Sequence, residues 1–202
     1  MKNPLIKSWI ERAAHTDRPV FLPVILGTNR KGRLSAAPAR YVFDLLQKRP
    51  DATTELVDVS KFNFPQDDYG TSTKTFFPDY VDTVKRADGF IIVAPEYNHG
   101  YPGTLKTLLD MLLPEYNHKA AGIVSVSSHA WGGVRMTENL TPVLKELGLV
   151  VSSVSAMFPN AGTAFLDSGE PTDQKAPDRV NRFLDEMVWL AKTLRWGRGK
   201  LQ

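Results

Sequence analysis

The chain has 202 residues, 42% of them hydrophobic and 23% charged, which is the composition of a globular protein long enough for one well-buried domain. It contains no cysteine, and this excludes disulfides, thiol redox chemistry and cysteine-ligated metal or iron–sulfur sites. The formal net charge of +3 is mild, and no aromatic-interleaved basic face accompanies the basic tail RWGRGKLQ, so we expect no nucleic-acid partner. Any redox chemistry must come from a bound organic cofactor.

The segment MKNPLIKSWIERAAH lacks the uninterrupted apolar core of a signal peptide, and no apolar run in the chain approaches the ~20 residues of a membrane span. We therefore expect a cytoplasmic protein without a membrane partner. Residues 1–18 precede the first predicted strand and have the pattern of an added amphipathic helix.

Beyond this segment, strand-like and helix-like patterns alternate, which is typical of an α/β fold with a parallel sheet. The predicted strands are 20–26, 53–59, 90–94, 121–127 and 149–157. The predicted helices are 35–48, 79–86, 102–113, 132–148 and 176–195. Pro23 is an awkward residue for a central strand, and a long loop is expected at 62–77. We predict a single flavodoxin-like domain over residues 1–202, a three-layer α/β/α sandwich with a five-stranded parallel sheet of order 2-1-3-4-5.

Sheets of this kind bind ligands beyond the carboxyl ends of their strands, where the strand order reverses. Three loops, after strands one, three and four, should meet there: GTNRKGRLS, PEYNHGYPG and SSHAWGGVR. All three are rich in glycine and small polar residues. Three such loops at one end of a sheet are a stronger signal than any one of them.

The first loop nearly spells the Walker pattern of a triphosphate site, with Gly27 and Gly32 at the right spacing. Arg33, however, stands where that pattern needs Lys, and Leu34 where it needs the hydroxyl that binds Mg²⁺. The loop also lacks the G-x-G-x-x-G of a dinucleotide site. A terminal monophosphate, bound without a metal ion, is the ligand group that remains.

The donors for such a phosphate are present in this loop. Thr28 and Ser35 supply hydroxyls, and Arg30 and Arg33 supply guanidinium groups. They stand at the start of a predicted helix, where free backbone N–H groups and the helix dipole favour an anion. The alternative is a plain glycine-rich turn with solvent-facing arginines.

The second and third loops offer groups suited to a flat heteroaromatic ligand. In the second, Tyr97 and Asn98 present mixed polar and apolar edges, although EYNHG alone would also suit a simple polar turn. In the third, Trp131 either covers a ring or packs on the surface. His99 and His129 would lie at neighbouring strand ends, but neither has a ligand-spaced partner, so we favour a polar rim over a metal site. No G-x-S-x-G elbow is present, and we set a hydrolase aside.

Taken together, LGTNRKGRLS and PEYNHGYPGTLKTLLDML resemble the NADPH-dependent FMN reductase family of flavodoxin-like proteins, which includes quinone, azo-dye and chromate reductases. The residues that match the family's motifs are Gly27, Thr28, Arg30, Ser35, Pro95, Glu96, Tyr97, Asn98, Pro102, Gly103, Leu105, Lys106, Asp110, Gly132, Gly133 and Arg135. The resemblance covers about residues 20–157. Arg33 departs from the pattern, because several members have Ser there.

The resemblance implies a bound FMN with its phosphate on the first loop, its isoalloxazine across the second and its pyrimidine end at the third. The implied contacts are Thr28, Arg30, Arg33, Leu34, Ser35, Pro95, Glu96, Tyr97, Asn98, Ser128, His129, Trp131, Gly132 and Gly133. Hydride would pass from NADPH or NADH through FMN to a small acceptor such as a quinone, an azo compound or free flavin, with no catalytic side chain required. Relatives are commonly oligomeric, which suggests a homodimer or homotetramer.

Two alternatives to an oxidoreductase stay open at this point. One is a flavodoxin-like electron carrier, against which the positive charge and the two loop arginines count. The other is a non-catalytic FMN-binding regulatory module, whose cofactor site would look the same in sequence.

Overall fold

The computed structural model describes residues 18–65 and 70–200. The strand segments in these residues are β1 Val20–Phe21, β2 Val24–Leu26, β3 Ala52–Thr53, β4 Leu56–Asp58, β5 Gly89–Pro95, β6 Ala120–Val126, β7 Val150–Val151 and β8 Ala156–Phe158. The α-helices are α1 Ala36–Gln47, α2 Thr73–Phe76, α3 Pro78–Arg86, α4 Gly103–Asp110, α5 Val134–Glu146 and α6 Ala176–Arg198. The helix predicted for residues 1–18 lies, apart from its last residue, outside the described part of the chain.

The strands form a parallel sheet in the order β4-β2-β5-β6-β7, with β8 also paired to β6 and β1 paired to β3. β1 and β2 are two halves of the first predicted strand, β3 and β4 of the second, and β7 and β8 of the fifth. With these halves joined, the order is the predicted 2-1-3-4-5, so the fold class is confirmed. The strand count differs, because three of the five strands are each divided into two short segments.

Pro23 explains the break in the first strand, since it has no N–H to donate to a ladder. Its carbonyl still accepts a hydrogen bond from the Ile91 N–H at 3.0 Å, and the Val24 N–H donates to the Glu55 carbonyl at 2.9 Å. The strand therefore keeps its register on both sides of the proline. The sheet therefore tolerates a proline in this central strand, and the only backbone hydrogen-bond donor that is missing from the strand's described residues is that of Pro23 itself.

Several boundaries differ from the predicted ones. The loop expected at 62–77 includes the short helix α2, and a 3₁₀ turn at Val59–Lys61 precedes it. α4 ends at Asp110 rather than at 113, and α6 runs on to Arg198 rather than ending at 195.

Helices cover both faces of the sheet, as a three-layer sandwich requires. One apolar core joins the sheet to α1 and α6, through residues such as Val42 and Phe183. A second core joins the opposite face to α3, α4 and α5, through residues such as Leu108 and Leu140. A Cβ added at Gly122 in β6 would lie 2.6 Å from Phe183, so this glycine lets α6 approach the sheet closely. β5 and β6, buried along their whole length, carry the central loops to one end of the sheet.

None of the described helices is both long enough and apolar enough to span a membrane.

Candidate functional site

A cleft of about 160 Å³ lies at the carboxyl ends of β2, β5 and β6, where the sequence placed the ligand. All three predicted loops contribute to it. The predicted residues that line the cleft are Arg30, Arg33, Leu34, Ser35, Pro95, Glu96, Tyr97 and Ser128. The predicted residues outside its lining are Thr28, Asn98, His129, Trp131, Gly132 and Gly133.

Ser35 stands at the N-cap of α1, and its buried hydroxyl has no hydrogen-bond partner within the described residues. An N-cap hydroxyl ordinarily accepts a bond from a backbone N–H of the first turn. The first turn of α1 also carries no acidic residue, so nothing in it offsets the positive end of the helix dipole. Pro38 in the first turn has no N–H, and the Ala36 N–H donates to the Arg33 carbonyl at 3.4 Å. The start of this helix therefore offers the Ser35 hydroxyl and the Ala37 N–H to an anion in the cleft.

Arg33 makes a bidentate ion pair with Asp58, the last residue of β4. Its Nη1 donates to Oδ1 at 2.7 Å and its Nη2 to Oδ2 at 2.5 Å, and Nη1 also donates to the Thr28 carbonyl at 2.5 Å. Burial alone would raise the pKa of Asp58, but hydrogen bonds from Arg33 and from Ser60 outweigh it and lower that pKa. Arg33 thus borders the cleft while its charge is neutralised by a carboxylate that sequence reasoning missed.

Thr28 and Arg30 hold Tyr97, and so connect the first loop to the second. The Thr28 hydroxyl lies 3.0 Å from the Tyr97 hydroxyl, and it also accepts a bond from the Arg30 N–H at 3.3 Å. The Arg30 guanidinium carbon lies 3.7 Å from the centre of the Tyr97 ring, a cation–π contact. Thr28 is buried outside the cleft lining, and its hydroxyl fixes the position of the tyrosine.

The second loop turns sharply at its tip. Tyr97 and Gly100 exchange two backbone hydrogen bonds of 2.9 Å, and Asn98 and His99 between them have positive φ values of 49° and 67°. This geometry leaves Asn98 exposed at the tip, away from the cleft lining. Glu96 faces inward: its Oε2 is buried without a hydrogen-bond partner among the described residues, and its Oε1 lies 3.7 Å from Arg135 Nη1.

The glycines of the third loop pack against the sheet. Gly132 and Gly133 have φ values of 63° and 85°, and the Gly132 carbonyl accepts a bond from the Ser125 hydroxyl at 2.6 Å. A Cβ added at Gly133 would lie 2.9 Å from the Ser125 Cβ, so this position needs glycine for close packing. Trp131 is 67% exposed at the rim. No group of three or more His, Asp or Glu side chains that could hold a metal occurs in the described residues.

The sequence profile described as NADPH-dependent FMN reductase matches residues 22–163. The chain belongs to this family. The match confirms, at the level of the family, the predicted class of NAD(P)H-dependent flavin oxidoreductase.

Two relatives and one solved structure illustrate the range of the FMN reductase family. An NAD(P)H-dependent FMN reductase of Schizosaccharomyces pombe is 32% identical over 117 residues, which cover 54% of this chain but only 58% of the relative. A quinone reductase of Escherichia coli K12 is 31% identical over 167 residues, covering 77% of this chain and 87% of the relative. The flavoenzyme FerB, an NAD(P)H:acceptor oxidoreductase from Paracoccus denitrificans, aligns with a TM-score of 0.71 at 21% identity, covering 86% of this chain and 98% of FerB, and so shares the fold.

The donor set of the cleft fits the cofactor that the FMN reductase family implies. FMN ends in one phosphate, and the cleft combines an unpartnered Ser35 hydroxyl, a helix start and Arg30. The unpartnered oxygen of Glu96 is a second buried polar atom in the same lining. Both atoms are the kind that a polar ligand satisfies.

Four lining residues were missed in the sequence: Gly32, Val126, Ser127 and Ala161. Ser127 is the first residue of the predicted third loop but is not among the predicted contacts, and Val126 immediately precedes that loop. Gly32 was noted for its spacing but not assigned to the ligand. Ala161 follows β8 and carries no motif, and only the folded chain brings it to the cleft.

Proposed function

We propose that this protein is an FMN-dependent NAD(P)H oxidoreductase, acting as one flavin-binding domain, that reduces a small acceptor such as a quinone, an azo compound or free flavin. The observation that carries the proposal is the buried, unpartnered hydroxyl of Ser35 at the start of α1, on the cleft that Arg30 and Tyr97 line. A metal-free monophosphate supplies the acceptors that these groups lack.

Each side of the cleft has its own part in holding FMN. Ser35, Arg30 and the Ala37 N–H at the start of α1 would bind the phosphate. Pro95, Glu96 and Tyr97 would border the isoalloxazine, and the third loop from Ser128 to Gly133 would border its pyrimidine end. Arg33 would hold the first loop in place through its ion pair with Asp58, and it would not bind the phosphate. Thr28 would hold Tyr97.

When bound, FMN would supply the hydride chemistry that links the nicotinamide to the acceptor. The chain itself need only bind and orient. The cation–π contact between Arg30 and Tyr97 keeps a positive charge beside the second loop, which would border the isoalloxazine. Arg135 lies 3.7 Å from the buried carboxylate of Glu96. No side chain is assigned as a catalytic acid or base.

A homodimer or homotetramer is part of this proposal. Leu34, Trp131 and Met157 are large apolar side chains left exposed on this end of the molecule, and the first of them lines the cleft. Association of copies over such a rim would remove apolar surface from water. We place the activity in the cytoplasm, where NAD(P)H is available to it.

The test is spectroscopic. Purified protein is saturated with FMN, freed of excess, and titrated anaerobically with NADPH and separately with NADH, and then with a quinone. We expect a yellow protein that a pyridine nucleotide bleaches and that the quinone re-oxidises. A protein that retains no FMN would overturn the proposal. A yellow protein that neither nucleotide bleaches would identify an electron carrier or a regulatory module instead.

A further inference from the structure

A second cavity, of about 360 Å³, lies between α3 and β4, the edge strand of the sheet in the described residues. It is more than twice the volume of the cleft and falls within the roughly 300–1,000 Å³ of small-molecule sites. The ion pair of Asp58 with Arg33 stands between the two, because Asp58 lines this cavity and Arg33 lines the cleft. Nothing in the flavin chemistry proposed above uses this second space.

The wall of the cavity is aromatic. Phe62, Phe76, Phe77 and Tyr80 all line it. The ring centre of Phe62 lies 5.1 Å from that of Phe77 and 5.4 Å from that of Tyr80, so these rings already support one another. Phe76 is 59% exposed at the mouth. Ring faces and edges of this kind favour a flat aromatic guest, which can stack or meet them edge to face.

Four groups that line the cavity are charged, and two of them, Asp58 and Glu55, have cationic neighbours. Asp58 accepts hydrogen bonds from Arg33 and from both the N–H and the hydroxyl of Ser60. Glu55 accepts a hydrogen bond from the Thr83 hydroxyl and lies 3.6 Å from Arg86.

Two lining charges remain, the ammonium of Lys61 and the carboxylate of Asp79, and in the described part of the chain neither takes part in an ion pair. One charge of each sign can hydrogen-bond to a polar edge. Neither favours a charged guest overall, because a guest of either sign meets one attractive and one repulsive group.

We propose that this cavity is a binding site for an uncharged, planar aromatic molecule of one or two fused rings with a polar group at its edge. The site is distinct from the flavin cleft. The rings supply the apolar contact, and Lys61 and Asp79 supply polar contacts at the mouth. This proposal does not depend on the proposed function, since it requires neither FMN nor NAD(P)H.

Isothermal titration calorimetry with three probes that share one ring system tests the charge argument. The probes are 2-naphthol, 2-naphthoate and the 2-naphthylmethylammonium ion, each titrated into the full chain without FMN. We expect 2-naphthol to bind with the highest affinity of the three. Absence of 2-naphthol binding, or tighter binding of either charged probe, would overturn the proposal.

Two variants and one competition experiment test the location. Phe76→Ala and Trp131→Ala each remove a largely exposed aromatic side chain, so neither should disturb folding. We expect Phe76→Ala to weaken 2-naphthol binding roughly three- to tenfold, while Trp131→Ala leaves it unchanged. Saturating FMN should not displace the naphthol. The assignment would be refuted if Trp131→Ala weakened 2-naphthol binding as much as Phe76→Ala did, or if FMN displaced the 2-naphthol, because either result would indicate binding in the cleft.

Discussion

The Ser35 hydroxyl is buried at a helix start, yet it makes none of the hydrogen bonds that an N-cap usually makes. A buried polar group without a partner already carries its desolvation cost in the free protein. Removing it should therefore not weaken the fold, whereas a residue placed there for capping would weaken the fold when truncated. Ligand affinity and stability are separable at this one position.

We expect Ser35→Ala to leave the free energy of unfolding of the FMN-free protein unchanged or slightly higher, and to weaken FMN binding roughly ten- to a hundredfold, the loss of one hydrogen bond to a charged group. FMN affinity is measured by quenching of flavin fluorescence, and stability by urea unfolding. Thr104→Val is the matched control, because the Thr104 hydroxyl is also buried and unpartnered but lies outside the cleft lining. Unchanged FMN affinity in Ser35→Ala would refute the phosphate assignment.

Some side-chain contacts of the site could be predicted from the sequence, and others could not. The motif spacing led to Ser35 and Tyr97, because a loop that follows a buried strand must open at the strand's carboxyl end. It could not reveal that Arg33 pairs with Asp58, since that contact depends on β4 lying beside β2 in the folded sheet. The motif spacing also could not show that the Thr28 hydroxyl bonds to Tyr97 whereas the Ser35 hydroxyl has no hydrogen-bond partner among the described residues.

At the scale of elements, the alternation of strands and helices was enough to predict the layers and the strand order. What it could not predict was the division of the strands. Pro23 marks one break, but the interruption of the last strand between Val151 and Ala156 carries no such mark; there the Ser152 hydroxyl accepts a hydrogen bond from the Val154 N–H at 3.0 Å and replaces ladder pairing. Local side-chain bonds of this kind compete with the sheet.

The end of α3 supplies a prediction of its own. The Lys119 ammonium donates to the Val84 carbonyl at 2.5 Å and to the Lys85 carbonyl at 3.1 Å, and so satisfies the last turn of the helix. Burial lowers the pKa of Lys119 to about 8, and the charge of Arg198 acts in the same direction.

Between pH 8 and the ordinary lysine pKa of 10.5, the unfolded chain keeps a proton that the folded protein has released. We therefore expect this group to raise the free energy of unfolding as pH rises through that window, and to add no slope below it. Urea unfolding from pH 7 to 10.5 measures the effect, with Lys119→Met as the control that lacks the group. Parallel pH profiles for the two proteins would contradict the lowered pKa.

At the scale of the whole molecule, the carboxylate of Asp88 links several elements at the end of the sheet opposite the cleft. Asp88 precedes β5 and is 1% exposed. Its Oδ2 accepts from the Phe21 N–H at 3.0 Å and from Arg195 at 3.1 Å, and its Oδ1 accepts from Arg198 at 3.1 Å and from Arg18 at 3.4 Å. It thereby joins the first strand, β5 and the end of α6. Because β5 is seven residues long, the cluster lies about 20 Å from the cleft.

Asp88→Ala should lower the free energy of unfolding by about 3–5 kcal/mol, because it removes the counter-charge of Arg195, whose side chain is only 9% exposed, and the acceptor for the Phe21 N–H. FMN affinity at a temperature where the variant is folded should be unchanged, since the cleft is at the other end of the sheet.

Asp185→Ala is the control: Asp185 pairs with Arg49 at the surface and is 66% exposed, so its loss should cost less than about 1 kcal/mol. Guanidinium or thermal unfolding measures the stabilities. Similar losses for the two variants would mean that the Asp88 cluster does not hold α6 to the sheet, and weaker FMN binding in Asp88→Ala would mean that the two ends of the sheet are coupled.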